Sequence, residues 1–199
     1  MKIINCIQGS EEWFKARAGV PSSSNFDKVV TGSGLPSKQQ EKYIYQLVGE
    51  SLLGTKEEGY QNVAMQRGTE MEGEARDLYS MISGETVIEV GFCIADNLFK
   101  YGASPDGLVG DDGLLEIKCP NLATHVGYLL DNKMPSTYFQ QVQGQMLVTA
   151  RKWVDFMSYY PGIKPFIIRV YRDDTFLHNL RAELERLCVT LNTLTNKLK

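Results

Sequence analysis

The stretch SPDGLVGDDGLLEIKCP, which begins at Ser104, constrains the fold and the chemistry of this chain more than any other. Its pattern predicts a β-hairpin, because two runs of apolar residues flank the turn-forming residues VGDDG. The predicted strands nevertheless carry Asp106, Glu116 and Lys118. Two carboxylates and an amine are costly to bury unless they are ion-paired, hydrogen-bonded or bound to a metal. The stretch therefore predicts either an exposed, ion-paired hairpin face or a site that uses these charges.

The register of the hairpin decides whether the three charges meet. A three-residue loop, 110–112, pairs Val109 with either Leu114 or Gly113. In the Gly113 register the two acids face each other, with Cβ atoms roughly 4.5–5.5 Å apart. Lys118 lies two residues beyond the second acid on the same strand, so it shares that face of the sheet. This register would gather all three charges on one side of the hairpin.

Two facing carboxylates repel each other unless a cation neutralises them. Mg²⁺ suits such a pair, because it binds one or two carboxylates together with phosphate oxygens of a substrate. The backbone carbonyl of Ile117 lies between the acids and the lysine and can serve as a further ligand. The amine of Lys118 can hold or deprotonate a water beside the metal. This arrangement favours metal-assisted hydrolysis of a phosphodiester.

A third carboxylate is expected from the helical pattern RGTEMEGEARDLYSMISG, which offers Glu70, Glu72 and Glu74. Its apolar stripe predicts that Glu72 lies nearest the buried edge, while Glu74 lies on the opposite flank and Glu70 faces away. Each glutamate taken alone is more typical of a solvated surface. The pattern therefore favours Glu72 as the inward-reaching acid.

Composition is that of an ordinary globular protein, with 43% hydrophobic and 23% charged residues in 199. One domain, residues 1–199, is expected. The chain has no apolar run near the ~20 residues of a transmembrane helix and no signal-peptide pattern, so we expect a cytoplasmic location and no membrane partner. The net charge is −3, so any DNA binding must use a local positive surface. The four dispersed cysteines form no CxxC pair and are expected to be reduced thiols.

Helical patterns dominate the first third of the chain. Ser10 is predicted to cap a short helix, SSSNFDKVVTG to form another, and Ser37 with Gln40 to form a capping box for the next. GYQN reads as a loop, followed by a helix from about Met65 to Gly84. A further helix is predicted over about 136–150.

Strand patterns fill most of the remainder. They are ETVIEVGFCIA, FKYGASPDGLV, GLLEIKCP, WVDFMSYY and PFIIRVYR. A leucine heptad over 177–198 predicts a long C-terminal helix that packs on its own core, with a subunit interface as the alternative. Together these patterns predict an α/β (α+β) domain in which helices flank a five-stranded, mixed or mostly antiparallel sheet.

Four blocks resemble one nuclease family in the same order along the chain. They are QGSEEWFKARAGVPSSS, GTEMEGEARDLY, SPDGLVGDDGLLEIKCP and YFQQVQGQMLVT, between Gln8 and Thr149. The chain resembles the lambda exonuclease-type (YqaJ-like) phage recombination exonucleases of the PD-(D/E)xK superfamily. Pro105–Asp106 and Glu116–Ile117–Lys118 stand as its PD and ExK motifs. The resemblance implies a restriction-endonuclease-like core.

The resemblance also implies roles for individual residues. Glu72, Asp106 and Glu116 are the expected metal-binding acids together with the Ile117 carbonyl, and Lys118 is the expected catalytic lysine. Gln141 or Gln143 is expected to support the site. A terminal DNA phosphate is expected at Arg17 with Ser22 or Ser24.

Members of this family digest linear double-stranded DNA from 5′ ends, release mononucleotides and leave a 3′ single strand. The resemblance therefore implies double-stranded DNA ends as substrate, two Mg²⁺ (or Mn²⁺) per site and a toroidal homotrimer. It further implies a phage single-strand annealing protein as partner, in the cytoplasm of a bacterial host. Two alternatives remain open at this stage. One is a superfamily endonuclease or DNA-end processor with an iron–sulfur staple, and the other is a nuclease-derived DNA-binding protein without turnover.

Overall fold

A computed structural model describes residues 1–56 and 63–199, with the backbone alone described along 63–70. The predicted GYQN loop lies outside the described residues. The helices are α1 (Glu11–Arg17), α2 (Gln40–Leu53), α3 (Val63–Ser83), α4 (Leu122–Asp131), α5 (Phe139–Thr149) and α6 (Asp174–Leu198). The strands are β1 (Lys2–Ile4), β2 (Val87–Ile88), β3 (Phe92–Ile94), β4 (Gly102–Ala103), β5 (Gly107–Val109), β6 (Gly113–Lys118), β7 (Trp153–Ser158) and β8 (Phe166–Tyr171).

The main sheet has five strands in the order β2-β5-β6-β7-β8. Strands β6 and β7 run parallel, and the other neighbouring pairs run antiparallel. A parallel step needs a crossover connection, and the segment that holds α4 and α5 supplies it. The predicted five-stranded mixed sheet, the flanking helices and the long C-terminal helix are confirmed.

A second, smaller sheet with the order β1-β3-β4 was not expected from the sequence. Its strands are only two or three residues long. Strands β3 and β4 lie within the predicted segments ETVIEVGFCIA and FKYGASPDGLV, whereas β1 is too short for an alternating pattern to be recognised. An isolated parallel bridge joins Ser22 to Gly102 of β4, and the Gly102 N–H donates to the carbonyl of Pro21 at 2.9 Å. The small sheet thereby fixes the loop after α1 beside the segment that leads into β5.

The main sheet is covered on both faces, as in a three-layer domain. One face, with Leu114 and Val154, belongs to a large core that also holds residues of α2, α5 and α6. The other face, with Leu115 and Ile117, packs against Ala75 of α3. The alternation along β6 therefore sends successive side chains into different cores.

The leucine heptad of α6 faces the protein's own core, as predicted. Leu177, Leu180, Leu184, Leu187 and Leu191 are all buried. Toward its end the helix emerges from the core, and its last residue, Leu198, is 64% exposed. Among the helices of the described part, none is long and apolar enough to cross a membrane.

Helix ends test the capping predictions. Ser10 caps α1, as predicted, because its side chain accepts a hydrogen bond from the Trp13 N–H. The predicted capping box is wrong: α2 begins at Gln40 after Gln39, which makes no side-chain cap bond, and the Ser37 hydroxyl accepts from the Gln39 N–H at 3.3 Å. Ser37 stabilises the turn before the helix. The capping-box spacing of Ser37 and Gln40 therefore placed the helix cap two residues before its observed position at Gln39.

Two other predicted helices differ in detail from the observed ones, and one observed helix was not predicted. The segment Ser23–Lys28 is a 3-10 helix, and the helix predicted over 136–150 is a 3-10 turn, Ser136–Tyr138, followed by α5. Helix α4 was not predicted. Asn121 caps it by accepting from the Thr124 N–H at 2.9 Å, a local signal that the sequence does carry.

Candidate active site

The hairpin of β5 and β6 has the register that gathers its charges. Val109 pairs with Gly113, which is one of the two registers that the three-residue loop allowed. The Asp106 N–H donates to the carbonyl of Leu115 at 3.1 Å, and the Asp106 carboxylate accepts from the Ile117 N–H at 2.6 Å. Asp106 therefore lies beside β6 at the level of Glu116, on the face that α5 covers.

Glu116 is buried, at 1% exposed, and it accepts three hydrogen bonds of 2.5 Å. Lys118 Nζ and Gln141 Nε2 both donate to Oε1, while Gln145 Nε2 donates to Oε2. Gln141 and Gln145 are one turn apart on α5, so they reach the same point on the sheet. The structure thus brings together two charged side chains of the hairpin and two side-chain amides of α5.

Gln143 does not join this group. Its amide nitrogen donates to the carbonyl of Tyr171, and its oxygen accepts from the Asp173 N–H, both at 2.9 Å. Residues two apart on a helix point to different sides, so Gln141 and Gln143 cannot both face Glu116. The expectation for Gln143 is corrected: it holds the end of β8 to the start of α6. The i,i+4 spacing of Gln141 and Gln145 is the signal that could have identified Gln145.

The charges of the site are incompletely balanced. Burial raises the pKa of Asp106 well above its usual value, and the neighbouring Glu116 raises it further. Burial would lower the pKa of Lys118, but Glu116 and Asp106 outweigh it and raise the pKa above its ordinary value. Lys118 is therefore protonated at neutral pH, and a single amine faces two buried carboxyl groups.

This donor set fits a hard divalent cation. Within the described residues, no three carboxylate, imidazole or thiolate side chains converge closely enough to enclose an ion by themselves. Mg²⁺ does not require such a cage, because it keeps several waters and binds one or two carboxylates with substrate phosphate oxygens. Asp106 and Glu116 supply that number of carboxylates, in a place where added positive charge relieves their repulsion.

Glu72 approaches the same site from α3. It is half-buried, and burial raises the pKa of its carboxyl group, while nearby Lys118 and Arg76 oppose that rise. Glu74 is exposed and accepts a hydrogen bond from the Tyr159 hydroxyl. The predicted orientation of these two acids agrees with the structure, whereas the side chain of Glu70 lies outside the described residues.

Arg17 occupies a second polar site, at the end of α1. Its guanidinium stacks on the Trp13 ring at 3.9 Å, and Nη2 donates to the hydroxyls of both Ser22 and Ser24 at 3.1 Å. Arg17 is only 6% exposed, and its Nε has no hydrogen-bond partner among the described residues. Burial lowers the pKa of Arg17 to about 10. The guanidinium is charged at neutral pH and incompletely bonded, so it suits an anionic ligand.

A buried scaffold supports this arginine pocket. Glu50 accepts from the Gly19 N–H at 3.1 Å, and the Tyr43 hydroxyl accepts from the Ser22 N–H at 3.2 Å. Gly19 has φ +65°, and a Cβ there would lie 1.9 Å from Ser51 Oγ, so the turn after α1 requires glycine. Burial lowers the pKa of Lys56, and the charge of Arg17 lowers it further, which places a second cation near the pocket.

The arginine pocket and the acidic site are joined by the segment 104–106. Trp13 Nε1 donates to Ser104 Oγ at 2.9 Å, while Gln8 Nε2 donates to the carbonyl of Pro105 at 2.9 Å. Asp106 follows directly. Sequence reasoning identified neither Ser104 nor Gln8 as part of the site, because a single serine or glutamine carries no signal without its partner.

Comparisons with known proteins identify the family of this chain. The YqaJ-like viral recombinase domain matches residues 12–152. An alkaline exonuclease from Laribacter hongkongensis, LHK-Exo, is 39% identical and superposes with a TM-score of 0.86, over 95% of this chain and 96% of that one. The same enzyme in complex with dAMP matches at the same identity and TM-score, over 96% of each chain.

More distant comparisons concern the fold alone. A phage-related exonuclease from Haemophilus somnus superposes with a TM-score of 0.70 at 15% identity, over 90% of this chain and 96% of that one. Among curated proteins, none matches the chain significantly. The matched domain spans most of the chain and holds both polar sites, and the protein therefore belongs to the YqaJ-like viral recombinase family of lambda exonuclease-type proteins.

Proposed function

We propose that this protein is a metal-dependent exonuclease that degrades linear double-stranded DNA from 5′ ends to mononucleotides and leaves 3′ single strands for strand annealing. The observation that carries the proposal is the link between an arginine pocket and a buried pair of acids through three residues, 104–106. A nuclease that requires a DNA end needs both a pocket that binds the terminus and a nearby site of hydrolysis. The likeness to an alkaline exonuclease supports this activity.

The metal would be held by Asp106, Glu116, the Ile117 carbonyl and Glu72, with two Mg²⁺ per site and Mn²⁺ as a substitute. When bound, Mg²⁺ polarises the phosphodiester and stabilises the negative charge of the attacking and departing oxygens. The Ile117 N–H and the amides of Gln141 and Gln145 keep the two acids in place. Their fixed positions reduce the reorganisation that cation binding requires.

Lys118 would act as a hydrogen-bond donor and not as a general base. Its raised pKa keeps the amine protonated, so it lacks the lone pair that a general base needs. A protonated amine beside Glu116 can orient the attacking water or hydrogen-bond the phosphate. It can accept a proton only after the negative charge of the acids has been neutralised.

Arg17 and its two serines would hold the 5′-terminal phosphate. A guanidinium with two neighbouring hydroxyls provides several donors to phosphate oxygens, and the incompletely bonded Nε marks unused capacity. Both serines contact Arg17 equally, so we assign the role to both. End recognition at this pocket distinguishes the proposed exonuclease from an endonuclease.

Further partners follow from membership of the family. We propose that the protein acts on DNA ends as a toroidal homotrimer in which each chain forms a single nuclease domain. It would work with a phage single-strand annealing protein in the bacterial host. A ring supports the handling of DNA by a chain of net charge −3, because its positive groups can line a channel.

The proposal predicts that a linear duplex labelled at a 5′ phosphate loses its label as a mononucleotide before a 3′ label is released, in the presence of Mg²⁺. Glu116→Gln should abolish release, since it removes a charge from the acid pair while keeping the shape. Arg17→Gln should slow release from 5′-phosphorylated ends toward the rate seen for hydroxyl ends.

Covalently closed circular DNA serves as the control substrate. Nicking of the circle at a rate like that of the linear duplex would identify an endonuclease and contradict the proposal. Retained Mg²⁺-dependent activity in Glu116→Gln would remove the acid pair from the mechanism. Thermal unfolding of each variant shows whether a loss of activity reflects a loss of fold.

A further inference from the structure

Three aromatic side chains lie together beside the amine of Lys118. They are Tyr128 of α4, Tyr138 directly before α5, and Phe156 of β7. The ring centroids of Tyr138 and Phe156 lie 5.2 Å apart, and those of Tyr128 and Phe156 lie 6.4 Å apart. Lys118 Nζ lies 5.1 Å from the centre of the Tyr138 ring, within the range of a cation–π contact. The amine therefore contacts an aromatic ring as well as the carboxylate of Glu116.

Tyr138 is placed by the same helix that supports Glu116. It is the residue immediately before α5, and Gln141 follows three residues later on the same side of the helix. Gln141 donates to Glu116 Oε1, the oxygen that also accepts from Lys118. The start of α5 thus supplies an amide to the carboxylate and a ring to the amine.

Helix α4 holds the Tyr138 ring from a second direction. Burial and then its hydrogen bond with Tyr138 raise the pKa of Tyr128 to about 12, so the Tyr128 hydroxyl stays protonated at neutral pH. The helix itself is fixed at the buried His125, whose Nε2 donates to the carbonyl of Lys164 at 3.1 Å, while Nδ1 lies 2.8 Å from the Ser158 hydroxyl. The ring is therefore held by the backbone before α5 and by a firmly anchored α4.

Lys118 needs such a support because the stem of a lysine side chain is long and flexible. A divalent cation at the acids competes with the amine for the negative charge of Glu116, and two positive charges repel each other. An aromatic face offers no oxygen ligand to Mg²⁺, so its attraction for the amine persists when the acids are neutralised.

We propose that Tyr138 is a positioning residue for Lys118, and that its ring keeps the amine beside the site of hydrolysis when a cation occupies the acids. The inference rests on the proposed function and adds a residue to it. Tyr138 acts through Lys118 and not by contact with DNA, so its loss should affect turnover more than binding of the duplex.

Three substitutions separate the ring of Tyr138 from its hydroxyl. Tyr138→Leu removes the ring and should lower kcat for mononucleotide release from a linear duplex by roughly 5- to 30-fold, the effect of losing a partly desolvated cation–π contact, with KM nearly unchanged. Tyr138→Phe keeps the ring and loses only the bond with Tyr128, so kcat should fall by less than about threefold. Tyr128→Phe removes the same bond from the other side and should match Tyr138→Phe.

Phe139→Leu is the matched control. Phe139 is the next residue, is half-buried like Tyr138, and packs its ring on Phe176 of α6 at a centroid distance of 4.8 Å. Its loss should leave kcat unchanged, and thermal unfolding of every variant reports on the fold.

Three kinetic outcomes would overturn the inference. One is an equal loss of kcat in Tyr138→Leu and Phe139→Leu. Another is a rise in KM without a fall in kcat in Tyr138→Leu, which would mean that the ring contacts the duplex. The third is a greater loss in Tyr138→Phe than in Tyr128→Phe, since the Tyr138 hydroxyl would then act on the substrate itself.

A labelling measurement tests the position of the amine without DNA or turnover. Acetylation of Lys118 by an N-hydroxysuccinimide ester of acetate, followed by peptide mass spectrometry at saturating Mg²⁺, should be faster in Tyr138→Leu than in the wild type. Lys152, whose amine pairs with Asp112 at the surface, is the internal control. Acetylation of Lys118 at the wild-type rate in Tyr138→Leu would overturn the inference. A wild-type protein that releases no mononucleotide would instead overturn the proposed function, so the two failures are distinguishable.

Discussion

Glu116 shows how single residues prepare the proposed metal site. Its side chain lies in the protein interior, yet both oxygens accept hydrogen bonds, from Lys118 and Gln141 on one side and from Gln145 on the other. A carboxylate bonded at both oxygens cannot rotate freely, so its position is set before a cation arrives. Gln145 makes its bond from a fully buried position, where its Oε1 has no partner among the described residues.

Gln145 is therefore predicted to position Glu116 for metal binding. Gln145→Leu should weaken Mg²⁺-dependent activity by about 10- to 100-fold, as is typical when a residue that orients a metal ligand is lost. The apparent Mg²⁺ affinity, measured by titrating activity, should fall. The melting temperature without Mg²⁺ should fall moderately, because Oε2 of the buried Glu116 loses a hydrogen bond while the unpaired Oε1 of Gln145 is also removed.

Gln140→Leu is the control for this prediction. Gln140 precedes the two site glutamines on the same helix, and its side chain donates a 3.5 Å hydrogen bond to the carbonyl of Val30, away from Glu116. Its loss should leave the Mg²⁺ titration unchanged. Equal effects of the two substitutions would show that Gln145 acts only through the general packing of the helix.

At the scale of elements, the predictable parts are those set by local chemistry and spacing. The loop length limited the hairpin to two registers, of which the structure has the one that brings Asp106 opposite Glu116, and the inward side of α3 followed from its apolar stripe. Strand β1 of the small sheet was missed because its partner β3 lies about 90 residues away, whereas β3 and β4 lie within predicted strand segments that were not expected to form a second sheet. The QxQ pattern left Gln141 and Gln143 as alternatives, and the turn of helix α5 directs only Gln141 to Glu116. Ser104 and Gln8 became visible only through contacts across the fold.

Strand β6 depends on a close approach at its first residue. A Cβ at Gly113 would lie 2.1 Å from the ring of Trp153 on β7, so Gly113→Ala must displace this ring or one of the two strands. We expect a loss of about 1–3 kcal/mol in the free energy of unfolding, as for other overpacked sites. Urea denaturation of the variant and of the wild type measures this loss of stability. Activity should fall as well, because β6 carries Glu116 and Lys118.

The double variant Gly113→Ala/Trp153→Leu tests the cause. A smaller side chain at Trp153 removes the collision, although it also removes the stacking of Arg169 on the indole ring at 3.5 Å. The double variant should therefore be more stable than the sum of the two single effects predicts. Simple additivity would show that the ring of Trp153 is not what Gly113 accommodates.

At the scale of the whole molecule, the small negative net charge is the sum of positive and negative side chains that are unevenly distributed. Acids gather at the proposed metal site, while Arg17 and Lys56 form a positive region around the arginine pocket. Lys28 lies close by, with Nζ 5.4 Å from the centre of the Tyr43 ring. Such a local field can attract a DNA terminus without making the whole surface basic.

The proposed ring predicts a defined mass in solution. Light scattering should report three times the 22.4 kDa of one chain at micromolar concentration. A ring also predicts that digestion of long duplexes continues after a competitor DNA is added, because an enclosed strand dissociates slowly. A monomeric mass at the concentrations that support digestion would contradict the ring while leaving the site of hydrolysis untouched.

The short segment from Ser104 to Asp106 has one further consequence. It is pinned at Ser104 by Trp13, at Pro105 by Gln8 and at Asp106 by Ile117, so its length cannot vary from one turnover to the next. Under the proposed function, this segment would keep a fixed distance between the pocket that holds a strand end and the acids at which the strand is cut. The size of the released fragment would then depend on three residues of backbone and not on the bases of the strand.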